Sequence, residues 1–123
     1  MKVKFKSFNE LRAVYEVVSS MAAIIAEEAG RATADGERPH VRMAARLVAV
    51  EMQCLSFAIA KKLVILPAKP SLSLNTSAGL ALLAAWYAVD STEIHDPLAY
   101  SLMVQITESL ERAYGGPILN PQS

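Results

Sequence analysis

The chain has 123 residues, enough for one domain with a buried core, and its 12 basic residues are matched by 12 acidic ones. A formal net charge of +0 leaves no overall field to draw in nucleic acid or an anionic membrane surface, so only a local patch could do so. Apolar residues make up 53 %, and 20 of them are alanine against one Trp and three Phe, a composition for closely approaching helices and not for a core of large rings.

Met1 to Lys6 alternates lysine with apolar residues, the period of an edge strand with a lysine-lined outer face, and Leu72 to Leu74 is its candidate partner. Ser7 and Glu10 then form an S-x-x-E capping box ahead of an amphipathic helix over about 8–29, ended by Gly30. Its inward face is Leu11, Val14, Val18, Ala22 and Ile25, and its outward face Asn9, Arg12, Glu16, Ser19 and Glu27. Arg31 to Arg38 reads as a polar loop with Asp35-Gly36 as its turn.

Pro39 suits the first turn of a second helix over about 40–63. This segment is free of glycine and proline after Pro39, and from Leu47 to Ala60 its only polar side chains are Glu51, Gln53, Cys54 and Ser56. A helix apolar on nearly all sides is expected to be covered by neighbours, which makes it the organising centre of the chain. Arg38, Arg42 and Arg46, continued by Ala49, Gln53 and Ser56, define a face expected to be wet. Glu51 falls on the other side with Ala44, Leu47, Leu55 and Ala58, where a carboxylate would be a buried polar group, either paired or held protonated. The competing structural reading is a satisfied core ion pair, or a helix turned enough to let Glu51 reach water.

Pro67 and Pro70 bound a loop, and Asn75, Thr76 or Ser77 can cap a third helix over about 77–90. Leu80, Leu82, Leu83, Trp86 and Tyr87 make its core arc, leaving Ala81, Ala84, Ala85 and Ala88 as a candidate interface for another helix. Asp96-Pro97 starts a fourth helix over about 97–114, with Ala99, Leu102, Met103, Ile106, Leu110 and Ala113 inward, and Gly115-Gly116-Pro117 stops it. The expected fold class is therefore all-α, a single-domain four-helix bundle or close variant over residues 1–123, to which the N-terminal segment can add a short β-ribbon.

No complete catalytic, cofactor or metal constellation is present. Glu93, His95 and Asp96 resemble part of a divalent-metal or general-base loop, yet Asp96 is also the expected helix cap and no further ligand stands at matching spacing. Cys54 lacks a neighbouring cation or histidine and is expected to be a small buried hydrophobe in a reducing compartment. Arg31, Arg38, Arg42 and Arg46 are dense enough to bind phosphate, carboxylate or an acidic protein surface, but aromatic residues for base stacking are missing beside them, and the competing reading is a solvated face pairing with Glu27, Glu28 and Glu37. The leading expectation is a protein-interaction module, not an enzyme: an adaptor, inhibitor or subunit that presents helix faces to a protein partner or to itself as a homodimer. The alternatives are a small helical enzyme or ligand-binding bundle using Glu51 or the Glu93, His95, Asp96 loop, and nucleic-acid binding through Arg38, Arg42 and Arg46. No cofactor is implied. The N-terminus lacks a signal-peptide pattern, and Arg46 and Glu51 argue against a membrane span, so a cytoplasmic location is expected.

Overall fold

The computed structural model describes residues 2–65, 70–89 and 97–115. Its elements in chain order are strand β1 (Lys2–Lys4), helix α1 (Phe8–Ala34), helix α2 (Pro39–Ile65), strand β2 (Ser71–Ser73), helix α3 (Thr76–Ala88) and helix α4 (Pro97–Tyr114). This is an all-α bundle with a minor two-stranded ribbon. The strands pair antiparallel with Val3 opposite Leu72, and the Phe5 N–H donates to the Pro70 carbonyl at 2.9 Å. The alternation read from the sequence has the expected consequence: Val3, Phe5, Leu72 and Leu74 are buried, while Lys2, Lys4 and Lys6 stay in solvent.

Helix α1 begins as its sequence requires, with the Ser7 Oγ accepting the Glu10 N–H at 3.2 Å. It does not end at Gly30. Thirty-four residues into the chain the helix is still running, and it closes at Asp35 and Gly36, where Glu37 N–H donates to Ala32 O and Gly36 N–H to Thr33 O. These are the two bonds of a Schellman cap, which needs a left-handed residue; Gly36 supplies it at φ +70°. Gly30 lacks those cap bonds and is carried as an ordinary helical residue. The supposed loop from Arg31 shrinks to residues 35–38, short enough to make α1 and α2 antiparallel neighbours.

Helix α1 is also the centre of the bundle, a correction to the role expected of α2. It packs on α2, α3 and α4, and eight of its residues are buried, against Ala49, Met52, Leu55 and Ile59 on α2, which meets only α1 and α3 closely. The buried side chains of both strands and all four helices join in one core. Asn75 caps α3 by accepting the Ala78 N–H at 2.7 Å, and Gly115 follows α4 at φ +75°. On α4 the expected inward residues are buried except Ala113, which is exposed at the last turn.

Candidate functional site

Helix α2 is turned about its axis away from the orientation its composition suggests. Part of the side expected to be wet is seated on α1, since Ala49 is buried and the Ser56 hydroxyl meets the Ser19 hydroxyl of α1 at 2.9 Å, while Arg38, Arg46 and Gln53 of that side stay exposed and Leu55, expected beside Glu51, is buried. Two short side chains can hydrogen-bond across a helix pair only when the axes are close. Ser19, Ala22 and Ala26 on α1 and Ala45, Ala49 and Ser56 on α2 lie at helical spacing suited to that approach. Ser19, expected to face outward, is thereby half-buried.

The consequence is on the far side. Among the described residues, seven of the twelve exposed large hydrophobic side chains belong to α2: Val41, Met43, Leu47, Val50, Phe57, Val64 and Ile65. Met43 is 71 % exposed, Leu47 63 %, Val50 48 %, Phe57 63 % and Val64 82 %. With Cys54 and Lys61 these five form a single line at alternating steps of four and three residues. At very roughly 100 Å² of apolar surface each, the five offer on the order of 500 Å², the size at which a patch on a monomer is commonly an interaction site. The sequence reasoning missed this line, although its 3.5-residue period was there to be counted.

Glu51 is consequently not a buried carboxylate. No charged or polar side chain is buried among the described residues, and Glu51 sits half-exposed on one flank of the line, beside exposed Ala44, Leu47 and Ala58. Arg46 lies exposed on the opposite flank. Cys54, expected inside, is exposed within the line itself. Lys61 lies over the Phe57 ring, its Nζ 4.6 Å from the centroid.

The arginines do not form one site. Arg31 is the last-turn residue of α1 and bonds Glu27 at 2.8 Å, and that carboxylate, by hydrogen bond and charge, raises the guanidinium pKa above its already high ordinary value. Arg38 is exposed. Arg42 and Arg46 line an open concavity of about 330 Å³ with Thr33, Pro39 and Met43, and the Arg42 Nε is buried there without a hydrogen-bond partner. No aromatic ring lines it.

The alanine face of α3 divides differently from expectation. Ala81 and Ala85 are buried with Leu82 and Leu83, whereas Leu80 is 40 % and Tyr87 66 % exposed. The helix is apolar all round, so nothing polar sets its rotation, and small residues can be the ones to admit a close neighbour. Ala84 and Ala88 remain exposed and border an apolar groove of about 410 Å³ floored by Ile25, Ala29, Ala45 and Val48, with Glu28 and His40 at its rim. Glu93, His95 and Asp96 lie outside the described residues, as does the cap expected of Asp96. Among the described residues, no three His, Cys, Asp or Glu side chains are grouped to hold a metal ion.

By length and composition α2 is the one described helix that could cross a membrane, and 22 % of its most apolar window is buried. Set against protein-family models, characterised proteins and solved structures, the chain has no match.

Proposed function

We propose that this protein is an interaction module, an adaptor, inhibitor or assembly subunit that works by docking the outer face of α2 on another protein, and that it is not an enzyme. One observation carries the reading. The chain seats Ala49, Met52, Leu55 and Ile59 of α2 in its core and still leaves five further bulky side chains of the same helix, Met43, Leu47, Val50, Phe57 and Val64, in solvent. Full burial of each such side chain is worth about 1.5–3 kcal/mol, so a lone chain forgoes much of what this helix could contribute. A sequence that keeps this arrangement makes sense when the face is buried elsewhere.

A protein surface accounts for the face better than a bilayer does. The Ser19–Ser56 contact sets α1 alongside the middle of α2. Inserting α2 would therefore carry Arg12, Glu16, Glu27 and Glu28 of α1 to membrane depth, and ionised groups there are costly. Nor does the face look catalytic, since Glu51 is half-exposed beside exposed Ala44, Leu47 and Ala58.

The test is a photo-crosslinking side chain placed at position 47 or 57 in the protein expressed in its own host. Capture of a polypeptide from these positions, with none from position 12 on the outer side of α1, is the expected result. Equal capture from all three, or none from any, overturns the reading.

A further inference from the structure

We infer that the occupant of this face is a second copy of the chain: α2 packs against α2 of its twin as a parallel, in-register coiled coil, with Arg46 of each chain against the partner's Glu51. This rests on the reading of α2 as an interaction face and names its partner.

The spacing comes first. Met43, Leu47, Val50, Cys54, Phe57, Lys61 and Val64 recur at steps of four and three over three heptads. That 3.5-residue period keeps a seam facing a partner helix along its length, which a globular contact does not require. Leu47, Cys54 and Lys61 take the a positions, and Met43, Val50, Phe57 and Val64 the d positions. The other side of α2 is occupied by α1 and α3, so the open arc admits one more helix.

Charge selects the orientation. Arg46 falls at g on one flank and Glu51 at e on the other, five residues later, and neither makes an ion pair in its own chain among the described residues. In a parallel pair the g residue of one helix faces the e residue of the partner's following heptad, so the two-fold axis forms the Arg46–Glu51 contact twice. An antiparallel pair would set each flank against its own kind and leave both charges unmatched. The remaining flank residues, such as Gln53 and Ala58, are uncharged and oppose nothing. Lys61 is the one charged residue in the seam. A single lysine at an a position fixes register at some cost in stability, and its ammonium lies over the Phe57 ring of its own helix, 4.6 Å from the centroid. The seam's on the order of 500 Å², enlarged by the stems of the flanking residues, approaches the ~800 Å² per partner of a stable interface.

The experiment begins with mass by light scattering. Wild type is expected to be a dimer and Leu47→Glu a monomer with unchanged helical circular dichroism; a wild type that stays monomeric on concentration, or forms a larger closed oligomer, overturns the inference. Arg46→Glu and Glu51→Arg are then examined apart and mixed. Each alone weakens the dimer about tenfold, because two attractive pairs become two repulsive ones, and mixing them restores wild-type affinity as a heterodimer. Failure to restore overturns the parallel register. Orientation is checked again with Val50→Cys and Phe57→Cys, each in a Cys54→Ser background: a short bismaleimide must link like positions at both sites, and linkage at neither refutes the pairing. If the photo-crosslinker at position 47 captures only other proteins, self-pairing is wrong and the interaction reading stands; if it captures nothing, both fall.

Discussion

Truncating Met52 and Leu47 to alanine in separate variants tests the rotation of α2 on which the functional argument depends. Both are large apolar residues in the middle of one helix, but Met52 is 0 % exposed and Leu47 63 %. Met52→Ala removes buried atoms and leaves a cavity that the helix pair can close only in part, a loss of about 2–5 kcal/mol. Complete burial of a leucine is worth about 1.5–3 kcal/mol, and roughly a third of that is realised at Leu47, so Leu47→Ala costs under about 1 kcal/mol in the monomeric chain. Alanine's better helix propensity trims both figures by a few tenths at most. With urea slopes of about 1–3 kcal/mol per M, the midpoint falls by something on the order of 1–2 M for Met52→Ala and by a few tenths for Leu47→Ala, with the slope itself unchanged. The measurement is made at a concentration where light scattering shows monomer, so that lost contacts to a partner do not enter. Equal losses, or a larger one at Leu47, would refute the orientation.

Gly30→Ala stabilises the protein by about 0.5–1 kcal/mol, because Gly30 is helical and a Cβ there meets nothing within 4 Å. Gly36→Ala destabilises by about 1 kcal/mol for the opposite reason, its φ of +70°; thermal or urea unfolding reads the two signs, and a loss at Gly30 would restore it as the helix terminus. Ser19→Ala and Ser56→Ala each cost about 1 kcal/mol, and the double variant costs less than their sum, since one hydroxyl left alone is worse placed than none; strict additivity would mean that the two hydroxyls do not interact. Asn75→Ala lowers stability by about 1 kcal/mol through loss of the α3 cap, and Asn75→Asp, which keeps the acceptor, recovers most of it. A midpoint unmoved by Asn75→Ala would show that the cap contributes nothing.

Much of the fold was legible in the residue order because its signals are local. Ser7 with Glu10, Asp35-Gly36, Pro39, Asn75 and Gly115 punctuate the helices where their backbone chemistry requires, and the lysine alternation of residues 2–6 places Val3 and Phe5 inward with a partner at Leu72. Helix α1 and helix α4 could be oriented as well, since each carries a polar stripe that only water accommodates. The one local misreading, Gly30 for Gly36, arose because a glycine near a helix end looks like a terminator until the cap bonds are seen.

What the sequence by itself determined, then, is which segments are helices, where most of them start and stop, and that α2 is too apolar to stand alone. Only the tertiary structure decided which side of α2 and of α3 is turned inward. On α2 two seams of similar period compete: one through Ala45, Ala49, Met52, Ser56 and Ile59, small at three of its five positions, and one through Met43, Leu47, Val50, Phe57 and Val64, bulky throughout. Hydropathy favours burying the second, and the chain buries the first against α1. Burial is a relation between two surfaces, and the rotation of a helix apolar on most sides is set by which of its faces lets a neighbour's backbone come close, a property of the pair that neither segment carries alone.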